Sequence, residues 1–415
     1  MRALFAGLRI SVVHLLFAVL GLFGCFPAFA ETGAIRTLPE LRQALDSATA
    51  GTVIEILPGT YRGNFFIKDL HGRPEAPIVI AGADRANPPV FEGGSGEGLK
   101  VSNSSYLKFS GIVFRGFSGN GINIDDGGKV DQPTHHIVLD SIRIENIGPK
   151  GNIDALKMSG VDHFILRNLH IEGWGGSAID LVGCHNGVIE NSRFMHRKGY
   201  RTANGIQIKG GSRSVLVQNN HFVNAGARAV QIGGLTGLRY FRPSVQNYEA
   251  KDIIVAGNTF VGGEAQIAWV TAQDSHVHHN LFYLPQKWLA RILQESEDSR
   301  FLSCRRGLFE NNLVILDEKV WRILSVGKST MPESFVFRAN VWNRSEKAVK
   351  AALPAAETSG VYELIPELRV MPSGRLEPVS PHPGVARVGP WAYTPPKPAI
   401  EFMDVFVPGT EWALE

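Results

Sequence analysis

The chain has 415 residues, 44% hydrophobic and 20% charged, with a formal net charge of +3 at pH 7. That balance excludes a disordered polyelectrolyte, and three cysteines exclude a disulfide scaffold. The 45 glycines and 23 prolines point to a large core wrapped by many turns rather than to long helices.

The first thirty residues read as a removable targeting segment, so the domains are 1–30 signal peptide, 31–345 solenoid and 346–415 C-terminal cap or strap. Arg2 and Arg9 open it, Ile10 to Phe26 is mostly apolar, and Ala28-Phe29-Ala30 is a small-x-small cleavage site. Lipidation at Cys25 is the second choice, because Phe23 fits that pattern poorly. No other apolar run approaches the roughly 20 residues that span a bilayer, so no membrane span is expected. The mature chain is expected outside the cytoplasm, periplasmic or extracellular, and monomeric.

Thr37-Leu38-Pro39-Glu40 is a capping box that opens a helix running to about Ala48. The helix is expected to cover the first coil of the solenoid, shielding open strand edges. One pattern then recurs, as Val-Gln-Asn-Asn-His-Phe at 217–222, Val-Ala-Gly-Asn-Thr-Phe at 255–260 and Val-His-His-Asn-Leu-Phe at 277–282. Its closing residues are Phe114, Ile144, Ile171, Phe194, Phe222, Phe260, Phe282, Val314 and Trp342. A fixed pattern with variable intervals is a solenoid, and the alternation with β-branched residues makes it a parallel β-helix. Asn220, Asn258, Asn280, Asn312 and Asn340 share one register place, where stacked amides satisfy a tight turn.

A second strand per coil alternates apolar and polar residues, as in Gly205-Ile206-Gln207-Ile208 and Ala229-Val230-Gln231-Ile232. The polar members Asn123, Lys157, Asp180, Gln207 and Gln231 should form one outward column, a floor on which an extended polymer can lie. Cys184 and Cys304 belong to coils about four repeats apart, roughly 19 Å at the usual strand spacing, too far to bond.

From Asn191 to Tyr248 the chain has no acidic residue but seven arginines and two lysines, which marks a surface that draws in an anion. Arg201 lies in the loop before Gln207. Arg239-Tyr240-Phe241-Arg242 sits in the longest insertion between repeats, where aromatic rings can stack on sugars. Nucleic acid is not expected, because no recognised binding motif is present.

The entry segment Gly51 to Tyr61, the strand Pro77-Ile78-Val79-Ile80 and the coils resemble the pectin-lyase-like right-handed β-helix superfamily. Within it the chain is most similar to the chondroitinase B and alginate lyase family, over roughly Thr37 to Arg344. The resemblance implies an all-β, right-handed parallel β-helix and β-elimination of an anionic, uronic-acid polysaccharide. It puts the family's catalytic lysine at Lys209, in Ile206-Gln207-Ile208-Lys209-Gly210-Gly211-Ser212. The family arginine falls on Gly233, with Arg228 the nearest substitute. The family's calcium-binding acids correspond to Thr202 and Asn204, so calcium is not supported and no cofactor or metal is expected.

Lys209 and Arg228 are therefore the expected catalytic residues. Gln207, Gln231, Asn204, Asp180, Lys157, Arg201, Arg239 and Tyr240 are expected to bind substrate. A lysine base must shed its proton, and arginines without acids around it favour that. Alternative readings are a glycoside hydrolase or epimerase on the same fold, or a non-catalytic carbohydrate-binding surface protein. Hydrolysis needs two carboxylates about 5 to 10 Å apart, and the acids in view, Asp125, Asp126, Asp154 and Asp180, all precede the basic stretch.

Overall fold

The computed structural model describes residues 30–31 and 33–396, except 321, 345–346, 349–350, 363, 365, 372–375 and 380–382. Cys25 and nearly all of the expected targeting segment lie outside the described residues. The chain winds into a right-handed parallel β-helix, each coil giving one strand to each of three long sheets. Among the described residues these sheets have 13, 10 and 12 strands.

Alternation builds the interior. In the 10-stranded sheet Ile206, Ile208, Val230 and Ile232 are wholly buried, which turns the residue between each pair outward. Asn123, Lys157, Asp180, Gln207 and Gln231 are consecutive register partners, so the expected column forms. It begins with Phe66 and Lys100 and continues through Ala268, Arg291 and Ser325.

The nine closing residues from Phe114 to Trp342 likewise pair in unbroken register along the 12-stranded sheet. Phe194, Phe222, Phe260 and Phe282 stack inside with ring centroids 4.7 to 4.9 Å apart. One coil step and one offset ring stack have nearly the same length, so a phenylalanine repeated per coil stacks without strain.

The asparagine ladder occupies the corner before those rings. Asn258 Oδ1 accepts from the backbone N–H of Asn220 at 2.9 Å and from its Nδ2 at 3.1 Å. Asn280, Asn312 and Asn340 repeat the pattern. At the far end the Glu357 carboxylate substitutes for the next amide, accepting from Asn340 N at 3.1 Å and Nδ2 at 2.8 Å. Each rung satisfies donors that the sharp corner takes out of the sheet ladders.

The helix spans Leu38–Ser47 with both halves of its capping box formed, and Leu41, Ala44 and Leu45 join the core of the first coil. Leu376, Val385 and Val388, from the described part of the segment after residue 350, pack on Leu281, Leu313 and Val341 of the 12-stranded sheet. Cys184 and Cys304 are free and buried, as their spacing requires, and burial pushes both thiols up to about 12.

Two histidine clusters lie on the 13-stranded sheet. His136 stacks between Tyr106 and His163, with its Nδ1 2.8 Å from that of His135. Burial, then the neighbouring His135 and His163, push His136 down to about 4. In the second cluster burial, then His276 and His279, push His278 down to about 3. An unfolded histidine takes up a proton near 6.5, whereas these resist it until far lower pH, so protons favour the unfolded chain within that window. Thermal stability is therefore expected to hold above about pH 6.5 and to fall progressively towards pH 4. His136→Asn keeps a residue type suited to the local φ of 55° and should flatten the fall. Melting temperatures across that range test it, and a wild-type profile that does not fall would count against it.

Candidate functional site

A cleft of about 710 Å³ opens over the outward column, on the coils that carry Asn204–Lys209, Arg228–Gly233 and Ala265–Val270. His196, Arg201, Asn204, Gln207, Arg228 and Gln231 line one side, and Glu264, Gln286 and Glu295 the other. Parallel pairing sets Asn204 beside Arg228 and Gln207 beside Gln231. Arg228 donates to Gln231 Oε1 at 2.5 Å and to Glu295 Oε1 at 2.7 Å, which holds its guanidinium at the cleft with 18% of the side chain exposed. The Gln207 carbonyl faces Lys209 Nζ at 3.1 Å, Ser177 Oγ at 3.4 Å and Asn204 Nδ2 at 3.5 Å. Its amide nitrogen turns towards Gly234, where any Cβ would crowd Gln207, Gln231 and Lys209 at 3.2 Å. Glycine at 234 thus keeps a window open above three polar groups.

Beneath the floor runs a string of alternating charge. Asp154 and Asp180 have 0% and 1% of their side chains exposed. Lys157 Nζ lies 3.4 Å from Asp154 Oδ2 and 2.5 Å from Asp180 Oδ2, and Lys209 Nζ lies 3.0 Å from Asp180 Oδ1. The Lys209 contact is electrostatic, since Asp180 Oδ1 lacks a hydrogen-bond donor of acceptable geometry. Burial, then the Asp180 charge, raises the Asp154 carboxyl above the usual carboxylate range, against the pull of Lys157. Burial opposes the Lys157 ammonium, but Asp180 and Asp154 outweigh it and hold Lys157 above its ordinary value.

The expectation that Lys209 sits among arginines without acids is corrected by this geometry. The acid-free stretch is continuous along the chain, but a coil's neighbours come from the coils before and after it. Asp180 is supplied from the coil before, and Glu249 from the coil after, where it accepts from Gly210 N. The arginines disperse too, because Arg193 and Arg213 lie on the other two sheets. Arg197 lies 3.6 Å from Glu172, and only Arg201 and Arg228 of the seven line the cleft.

Other expected substrate residues fall elsewhere. Asp180 is in the column but sealed under it, so it reaches ammonium groups rather than the cleft. Lys157 lines a separate hollow of about 440 Å³ with Lys100, Asn123 and Asp125. Arg239 and Tyr240 form an exposed turn with the guanidinium 4.6 Å above the ring, and neither is among the cleft-lining residues. The insertion that carries them runs back along the axis instead. Phe241 packs on Phe301, and Arg242 pairs with Asp126, four coils nearer the N-terminus. A Cβ on Gly183, at φ 60°, would collide with Arg242 on that path. At the positions considered for calcium, Thr202 is bonded to His196 Nδ1 at 3.0 Å, and Asn204 faces Gln207. Among the described residues no helix is long and apolar enough to cross a membrane.

Glu264, Gln286 and Glu295 have no counterpart in the sequence reading. Glu264 directly precedes the strand Ala265–Val270, and that position is the signal that coil counting offered.

A family model for the right-handed beta helix region matches residues 97–282. No curated protein sequence matches the chain. Among solved structures it is similar to an alginate lyase from Paenibacillus sp. str. FPU-7, with 16% identity, 72% of this chain and 97% of that chain covered, and a TM-score of 0.46. A PL6 family alginate lyase is similar at 14% identity, 89% and 60% coverage and a TM-score of 0.48. An endo-xylogalacturonan hydrolase from Aspergillus tubingensis is similar at 15% identity, 78% and 95% coverage and a TM-score of 0.42. These neighbours include lyases and a hydrolase, and they bear on nothing finer than the fold.

Proposed function

We propose that the protein is an exported polysaccharide lyase that cleaves a uronic-acid polymer by β-elimination in the cleft over Gln207 and Gln231. The observation that carries this reading is the convergence of Arg201, Arg228 and the amides of Asn204, Gln207 and Gln231 on one cleft, with Lys209 just below. Guanidinium and amide donors suit a sugar carboxylate and its hydroxyls.

In this mechanism Arg228 holds the uronate carboxylate, which makes the adjacent C–H easier to ionise. Lys209 enters the reaction as the free amine, held over the Asp180 carboxylate at 3.0 Å. The amine takes the proton α to the carboxylate, the bond to the leaving oxygen breaks, and a carbon–carbon double bond forms. Lys209, now an ammonium, returns that proton to the leaving oxygen. Gln207 Oε1 steers Lys209 throughout. No step requires a metal.

One observation favours a second reading. Glu264 and Glu295 line the same cleft, and a carboxylate pair is the machinery of glycoside hydrolysis. Purified mature protein should be offered alginate, chondroitin, heparin-like and pectic polymers. The expected result is rising ultraviolet absorbance from an unsaturated product. New reducing ends without that absorbance would transfer the assignment to Glu264 and Glu295. Binding without any change in polymer length would make the protein a carbohydrate-binding module.

A further inference from the structure

Beyond Gln231 the outward column changes from an amide to a small residue. Ala268 is the register partner of Gln231 on one side and of Arg291 on the other. Three residues earlier in the same strands stand Arg228, Ala265 and Trp288, and Ala265 pairs with Trp288. Ala265 and Ala268 are wholly buried, covered between Arg228 and Gln231 on one side and Trp288 and Arg291 on the other. Glu295, at the edge of the cleft, is held by Arg228, and Glu264 lies 3.5 Å from Lys287.

Arg291 is the unusual member. No described residue gives it a hydrogen bond or an ion pair, and its buried Nε has no partner. Its guanidinium lies 4.5 Å above the Trp288 ring, and Lys287 Nζ lies 4.1 Å from the same ring. Burial, and next the Arg228 charge, push Arg291 below the ordinary arginine range, against Glu295 and Glu264. A half-buried cation facing a second cation without an anion of its own is costly unless a ligand supplies one. Stacking on Trp288 holds the planar donor fork ready at little further cost in side-chain freedom.

We infer that Arg291 binds an anionic group of the polymer, on the sugar next to the one over Gln207 and Gln231, and so sets specificity for charged over neutral sugars. This rests on the reading of the cleft as a site for an anionic polysaccharide. Carboxylate and sulfate share the chemistry that a guanidinium recognises, so the substrate class is an acidic sugar chain of either kind.

The test is equilibrium binding to the intact mature protein, by calorimetry with short oligouronates, sulfated oligosaccharides and neutral oligosaccharides. Wild type, Arg291→Gln and Arg291→Lys are compared, with thermal unfolding to confirm that each is folded. Arg291→Gln is expected to weaken acidic oligosaccharides by roughly tenfold to a hundredfold and to leave neutral ones unchanged, the loss of a charge-assisted contact. Arg291→Lys should recover part of that loss, since it keeps the charge without the fork. Loss confined to oligouronates identifies a carboxylate, and loss confined to sulfated ligands identifies a sulfate. Wild-type affinity in the Arg291→Gln protein overturns the inference and leaves the lyase reading standing. Arg291-dependent binding without unsaturated products sinks the lyase reading and keeps the inference. A wild type that binds no acidic oligosaccharide removes both.

Discussion

Replacing Lys209 by alanine is expected to abolish elimination, with turnover down by about a hundredfold to ten-thousandfold, the usual contribution of a positioned acid–base group. The loss should fall on kcat, because Lys209 lies under the window at Gly234, with 14% of its side chain exposed, and the groups lining the cleft remain. Lys209→Arg should not restore activity, since a guanidinium holds its proton too firmly to act as the base. Asp180→Asn should also lower kcat, because the charge that holds Lys209 Nζ in place at 3.0 Å is then lost. Both variants disturb the buried charge string, so unfolding curves and polymer binding must accompany the kinetics. Full turnover in a folded Lys209→Ala protein would remove the base from the mechanism and return attention to Glu264 and Glu295.

Glu249→Ala should cause the largest loss of stability. The carboxylate is wholly buried and accepts four hydrogen bonds, and among the described residues it has no ion pair. Gly210 N and Thr236 N approach at 2.8 Å, Thr236 Oγ1 at 2.7 Å and Ser296 Oγ at 2.8 Å. These donors come from the turn after Lys209, from the insertion beyond Gly234 and from the loop after Leu293, so one side chain fastens three walls of the site. Alanine leaves at least two buried backbone N–H groups unpaired beside a cavity, at about 1–3 kcal/mol for each unpaired group plus the lost packing. A destabilisation of roughly 4 kcal/mol or more is expected from equilibrium denaturation. Glutamine keeps the shape but turns two N–H groups towards donors, so it should rescue only part. A denaturation midpoint unchanged in Glu249→Ala would contradict this account.

The sequence made the scaffold legible because the inside of the solenoid is periodic. Phe222, Phe260 and Phe282 repeat since each must stack on the last, and Asn258 and Asn280 repeat since each amide serves the corner of its neighbour. The column from Asn123 to Gln231 followed from the same periodicity, read one residue out of phase. Charge is different. Asp180 and Lys209 are 3.0 Å apart because coils stack, and nothing in the stretch around Lys209 announces an acid. Glu249 ends the acid-free stretch and looked like its boundary, yet it is the residue that ties the stretch down. The insertion containing Arg239 and Tyr240 has no repeat, so its path was not readable. It left the sugar-facing role expected of Tyr240 unsupported by position and placed Leu235 at the cleft instead.

The Arg242–Asp126 pair joins segments 116 residues apart in sequence. A plain stack of coils resembles a coiled spring, with each turn fastened only to the next and a bend free to travel along it. A tie across four coils, roughly 19 Å at the usual strand spacing, converts that length into a bar. The bar underlies the column from Asn123 to Gln231. A flexible chain laid along it meets a surface of constant pitch, so the freedom given up on docking is the polymer's and not the protein's.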